Sequence, residues 1–275
     1  MSFRTAAPGT HVHLIIGATG VGKSARAASQ AHTSRAPIVV ADRIQCFADL
    51  ATTSARGAID LDGQPRRHFL DERTIDQGDF PTIDAHHALR RTLAALSREN
   101  RSIIVEGGSI SLLTAFFDSI DALPFRFTAE LLPTPDPVTY TERLLSRAHR
   151  MLAPPHPEPG MLHELSVAWR HTEQREFVTS IVGFGSLIRW CLHRDVHPDT
   201  LLDLPVDSAE IADLAAAVAR EHAHYGTQQQ RSFDVILART PALTFRDNML
   251  PSEQAAGPAS AGRRAEVQGT AVNSS

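Results

Sequence analysis

The chain is short of several things at once. Only two cysteines occur, Cys46 and Cys191, too few for a disulfide scaffold and in keeping with a reducing cytoplasm. Charge of neither sign dominates: 27 basic residues stand against 31 acidic ones, a formal net charge of −4. That balance does not suit a protein wrapped around a large nucleic acid, although it leaves room for a local basic patch. No apolar run is long enough to span a bilayer. Met1 to Thr10 lacks the charged-then-apolar order of a secretory signal. Histidines come in short clusters (His11 and His13, His86 and His87, His222 and His224), but no acid or cysteine stands beside them at metal-ligand spacing. An i,i+2 pair on a helix does not share a face, so zinc is not expected. With 42% hydrophobic and 21% charged residues, what remains is a soluble, cytoplasmic globular protein with neither membrane nor nucleic-acid partner. Its length allows one large domain, or a core with a helical subdomain.

What is present centres on Gly17 to Ser24, Gly-Ala-Thr-Gly-Val-Gly-Lys-Ser, which fits the G-x-x-x-x-G-K-[ST] phosphate-binding loop without a forced position. Val12, Leu14, Ile15 and Ile16 make an apolar strand before it, and Ala25 to Ala31 continue as a helix. In such a strand–turn–helix, backbone N–H groups converge on an anion and the positive helix end faces it. Gly17, Gly20 and Gly22 shape the turn, Lys23 adds a mobile positive charge, and the Ser24 hydroxyl is the usual Mg²⁺ ligand. The alternative is that the glycines only form a turn.

Further along, Pro37 to Ala41 reads as a short strand buried on both faces. It runs into Asp42-Arg43-Ile44-Gln45-Cys46. Residues just past the carboxyl ends of strands line the crevice of open α/β sheets, so Asp42 is expected on the same rim as the loop; an isolated turn Asp is the other reading. Ala48 to Gly78, with Ser54, Arg56, Arg66 and Arg67, reads as an irregular loop, either closing over a substrate or simply solvated. Pro81 to Glu99 is an amphipathic helix, Ser102 to Glu106 a strand ending in an acid, and Phe125 to Leu132 a further strand. Glu106 either orders Mg²⁺ or holds its turn.

Asp136-Pro137 predicts a helix start. Arg143, Arg147 and Arg150 follow at spacings that share one face, beside an apolar stripe of Tyr140, Leu144 and Ala148. That basic face is either solvated or meets a diphosphate, which needs more charge than one lysine. Ala153 to Gly160 reads as a linker, and Met161 to Gly226 as mostly helical, with an Asp207–Glu210 capping pair and Gly226 as a helix exit. From Pro251 the chain reads as disordered. The expected architecture is a phosphate-loop α/β core at 11–133 with a parallel sheet flanked by helices, a helical portion at 134–240 and a tail at 251–275.

In this order the motifs resemble one family, the isopentenyltransferases that prenylate the N6 amine of adenine. The loop carries the resemblance together with Ala41-Asp42-Arg43-Ile44-Gln45-Cys46, Thr53-Ser54-Ala55-Arg56, Glu106-Gly-Gly-Ser-Ile-Ser-Leu-Leu113, Arg147 in Arg-Ala-His-Arg-Met-Leu, and Gln228 with Gln229. It spans Val12 to Phe233. Within the family, Asp42-Arg43-Ile44-Gln45-Cys46-Phe47 is similar to the bacterial adenylate branch, where the tRNA-modifying branch has Asp-Ser-x-Gln-Val-Tyr. The resemblance implies dimethylallyl diphosphate, or its hydroxylated analogue, as donor and AMP, with ADP or ATP as alternatives, as acceptor. It implies Asp42 as base, Lys23, Thr19, Arg147 and Mg²⁺ on Ser24 at the diphosphate, and Arg43, Gln45, Ser54 and Arg56 in substrate binding. Where many members show Ile-Asp-Gly-Tyr-Arg and His-Ala-Arg-Gln-Gln, this chain has Ile181-Val182-Gly183-Phe184-Gly185 and Tyr225-Gly226-Thr227-Gln228-Gln229. An acid and two arginines are therefore replaced. The rival readings are a small-molecule kinase on the same loop, a tRNA prenyltransferase and a non-catalytic nucleotide-binding module.

Overall fold

A computed structural model describes residues 9–56, 65–155, 158–203, 206–240 and 244–245. Residues 1–8 lie outside the described residues, as do residues 251–275, read above as a disordered tail. The apolar runs become a parallel sheet. Its strands are β1 (His11–Gly17), β2 (Ile38–Val40), β3 (Arg67–Phe69), β4 (Ser102–Gly107), β5 (Arg126–Leu132) and β6 (Thr244–Phe245), in the order β3-β2-β4-β1-β5-β6. Register aligns Ile15 of β1 with Glu106 of β4 and Glu130 of β5. Val12, Leu14, Ile15 and Ile16 are fully buried, as expected of a strand covered on both faces.

Helices α1 (Lys23–Ser34), α2 (Ala51–Ser54), α3 (Thr82–Leu96) and α4 (Ile110–Phe117) connect the strands. After β5 come α5 (Pro137–Leu152), α6 (Met161–Trp169), α7 (Arg175–Ser180), α8 (Phe184–His193) and α9 (Ser208–Ala238). The capping residues act as their sequence implies. Asp136 accepts from the Thr139 N–H at 3.1 Å, and Asp207 and Glu210 form a reciprocal capping box. One continuous core runs from β1, β2 and β4 through α3 and α4 to α5, α8 and α9. Among the described residues no helix is long and apolar enough to cross a membrane.

Two expectations need correction. The stretch read as an irregular loop contains α2 and an edge strand, β3, whose three residues pair with β2. Three partly buried residues, Arg-His-Phe, carry too little alternation to be read as a strand; pairing with β2 defines it. Gly226 is not a helix exit, because α9 continues for three more turns to Ala238. A Cβ there would lie 2.1 Å from the Tyr140 hydroxyl, so the glycine makes room for α5 rather than ending α9.

Candidate active site

The first β–α turn sets the geometry. Gly20 and Gly22 take φ of 77° and 100°, which L side chains rarely adopt, and so bend the chain from β1 into α1. At the base of the turn Lys23 Nζ donates to the carbonyls of Gly17 at 3.0 Å and Ala18 at 2.7 Å. Enclosure of the ammonium pushes its pKa down to about 8, against the pull of the Glu106 and Asp42 charges. Ser24 donates to the Glu106 carboxylate, 3.1 and 3.2 Å from its two oxygens. Glu106 is 1% exposed, and burial raises its pKa while Arg67 and Lys23 oppose the rise. Arg67, from the edge strand, donates to Glu106 at 2.6 Å.

A cavity of about 1010 Å³ opens over this turn. Thr19, Gly20, Gly22, Lys23, Ser24, Asp42, Arg43, Gln45, Ser54 and Arg147 all line it. Asp42 stands past the end of β2, where its Oδ1 accepts from the N–H groups of Ile44 at 3.0 Å and Gln45 at 3.4 Å. Among the described residues its Oδ2 takes no hydrogen bond. The Asp42 charge reaches Lys23 and Arg147, raising both against the burial that lowers them. From α5, Arg143, Arg147 and Arg150 all reach the cavity wall, so the basic face is turned to the site and not only to bulk water.

Arg43 is anchored: its guanidinium meets Asp79 at 2.6 Å, the Phe80 carbonyl at 2.6 Å and the Ser111 hydroxyl at 3.1 Å. Arg56 and Gly17 are the expected substrate residues that do not line the cavity. Arg56 is held elsewhere. It donates to the Cys46 carbonyl at 3.0 Å, pairs with Glu72 and lies over the Phe69 ring. Gly17 contributes its carbonyl to Lys23. Cys46 is fully buried and its thiol is pushed up to about 11, chiefly by burial, so it is a packing residue rather than a nucleophile.

Among the described residues, several polar atoms on the cavity wall are buried without a partner: Gln45 Oε1, Ser54 Oγ, Arg147 Nε and His222 Nε2. Buried polar groups are normally satisfied, and their concentration here marks a surface prepared for a polar ligand. Burial, helped by Arg147, holds the His222 pKa down at about 3, so its ring is neutral at ordinary pH.

His222, weighed from the sequence only for zinc, and Gln229, cited only for the family resemblance, were given no role in the site, although a signal was present. On α9, Leu214 and Val218 and then Phe233 and Ile236 form a buried stripe. Between them the stripe is filled by His222, Gly226 and Gln229, at intervals of four and three, where apolar residues would be regular. Gln229 is 3% exposed. Its Oε1 accepts from the Thr19 N–H at 2.7 Å and its Nε2 donates to the Gly108 carbonyl at 2.6 Å. Glu221, on the same helix, takes the N–H groups of Gly183 at 2.7 Å and Ser186 at 3.0 Å. It thereby fixes the turn that carries Val182 into the cavity wall. Gly185 leaves room for this carboxylate, 3.4 Å from where its Cβ would be. Thr227 is exposed and donates to the Ala223 carbonyl.

A parallel sheet with a glycine-rich loop between its first strand and helix and a facing acid defines an α/β protein of the phosphate-loop class. Its family is visible in the sequence as well. The model of the isopentenyl transferase family matches residues 10–242. Adenylate dimethylallyltransferase of Rhodococcoides fascians is 37% identical over 223 residues, 81% of this chain and 87% of that one. The enzyme of the same name from Agrobacterium fabrum is 30% identical over 226 residues, 81% and 90% of the two chains. The tRNA isopentenylpyrophosphate transferase structure from Bacillus halodurans superposes with a TM-score of 0.60 at 14% identity, covering 87% of this chain and 90% of that one; this likeness is one of fold. The chain belongs to the isopentenyl transferase family.

Proposed function

We propose that the protein transfers a dimethylallyl group from dimethylallyl diphosphate to the N6 amine of an adenine nucleotide, AMP in the first place, in the opening step of cytokinin synthesis. The observation that carries the reading is a juxtaposition. One cavity is lined by the loop, Lys23 and Arg147, which suit an anion, and also by Asp42, whose Oδ2 takes no hydrogen bond among the described residues. The names of the relatives point the same way.

In this mechanism the diphosphate sits on the loop, with Thr19 near it, Lys23 turned from its carbonyls towards it and Arg147 beside it. The N6 lone pair attacks the allylic carbon; the carbon–oxygen bond breaks and its electrons leave on the diphosphate. Directed positive charge in an enclosed site stabilises that leaving group. The attacking amine becomes acidic as the new C–N bond forms, and Asp42 takes one of its protons. Gln45 and Ser54, whose wall oxygens have no partner among the described residues, suit the adenine edge and ribose, and anchored Arg43 frames that side. Ser24 and Glu106 offer hard oxygen ligands of the kind Mg²⁺ takes alongside substrate phosphates. Among the described residues no group of three or more His, Cys, Asp or Glu forms a closed cage. Mg²⁺ held by Ser24 and Glu106 would neutralise charge on the diphosphate. The two buried thiols suit a cytoplasmic setting.

The test is mass spectrometry of AMP and dimethylallyl diphosphate incubated with the protein and Mg²⁺. Prenyl-AMP and pyrophosphate are expected. No adduct with either AMP, ADP or ATP, together with ATP cleavage in the presence of a hydroxyl acceptor, overturns the reading in favour of a kinase.

A further inference from the structure

The Thr19 backbone is gripped on both sides by side chains that come from helices distant in sequence. Its N–H donates to Gln229 Oε1 at 2.7 Å, and its carbonyl accepts from the Tyr140 hydroxyl at 2.9 Å. The Gln229 amide has only one consistent orientation, because an N–H must meet its oxygen and the Gly108 carbonyl must meet its nitrogen. It therefore bridges the β1–α1 turn to the β4–α4 turn at 2.7 and 2.6 Å. Space is reserved for this arrangement at two glycines. A Cβ on Gly108 would stand 2.6 Å from Gln229 Nε2 and 3.3 Å from Lys23 Nζ, and a Cβ on Gly226 would strike the Tyr140 hydroxyl.

We propose that Gln229 and Tyr140 are positioning residues for the leaving diphosphate: they fix the two peptide groups flanking Thr19 so that the remaining loop N–H groups and Lys23 meet the anion in a set geometry. An unclamped loop must be ordered when the anion binds, and that ordering weakens affinity. Neither residue touches the reacting atoms. The inference rests on the proposed chemistry only in taking the loop's ligand to be a diphosphate.

Affinities for inorganic pyrophosphate with Mg²⁺, and separately for AMP, are to be measured calorimetrically on the wild type and on Gln229→Met, Tyr140→Phe and Gln228→Met. Gln229→Met keeps the volume and loses both bonds, Tyr140→Phe loses one, and Gln228 is an exposed neighbour whose side chain bonds to His224. One to two lost hydrogen bonds correspond to about a three- to tenfold weakening. Pyrophosphate should weaken about tenfold in Gln229→Met and about threefold in Tyr140→Phe, with AMP affinity and Gln228→Met close to wild type. Unchanged pyrophosphate affinity in both variants overturns the proposal. So does a parallel loss of AMP and pyrophosphate binding with a lowered melting temperature, which marks general loss of structure. Should Gln229→Met fail to fold, Tyr140→Phe decides alone, since it keeps the ring in place. A wild type that binds pyrophosphate but makes no prenyl adduct would remove the proposed function and leave the clamp standing.

Discussion

Gly226→Ala separates local from tertiary reasoning because the two predict opposite signs. In the interior of a helix, alanine is favoured over glycine by about 1 kcal/mol, so α9 alone predicts a more stable protein. The structure predicts the reverse. The new methyl would stand 2.1 Å from the Tyr140 hydroxyl and 3.3 Å from its Cζ, with the Ala18 Cβ at 3.5 Å closing a third side. Tyr140 is 9% exposed, and its ring can yield only by abandoning the Thr19 carbonyl. Overpacking of this kind costs about 1–3 kcal/mol, and the lost hydrogen bond about 0.5–1.5 kcal/mol. After the gain in helix propensity, the net destabilisation is about 2 kcal/mol. For a chain of this size that lowers the melting temperature by roughly 4–8 °C, readable by calorimetry or by fluorescence in a thermal ramp. An unchanged or raised melting temperature would refute the argument from close approach, because only the propensity term would then remain.

Lys23→Ala should reduce prenyl transfer by about 10²–10³-fold at saturating Mg²⁺; wild-type turnover would remove the loop from the chemistry. Asp42→Asn keeps the shape and loses the base, and should slow prenyl-AMP formation by about 10²–10⁴-fold while donor affinity holds. Collapse of both together would make Asp42 a structural residue. Lys23 gives the pH dependence. Its folded pKa is depressed from 10.5 to about 8, so between those values the unfolded chain binds more protons, and this group's contribution to stability increases with pH across the window. Activity moves the other way: kcat/KM for the donor should fall as pH passes about 8, where the free enzyme loses the charge that meets the diphosphate. A basic limb that appears only above pH 10 in the wild-type profile would contradict this.

Much of the fold could be read from the chain because short-range physics fixes it. Buried β-branched runs, the glycine turn into Lys23-Ser24, the Asp136-Pro137 start and the Asp207–Glu210 box each act within a few residues, and each forms in the structure. The same locality brought Asp42 to the rim of the sheet, since strand ends and crevice coincide in this architecture. Long-range contacts decided the rest. Arg67 and Arg56 look alike in one polar stretch. Pairing of β3 with β2 carries Arg67 to Glu106, whereas Arg56 turns to Glu72 and the Phe69 ring. The interruption of the α9 stripe at His222, Gly226 and Gln229 was written in the sequence, but not what fills it. Thr19 is 210 residues before Gln229 and 121 before Tyr140, and no local pattern encodes which peptide a buried amide or hydroxyl will find. Burial makes those polar groups seek partners, and only the packing of α5 and α9 over the loop determines that the partner is Thr19.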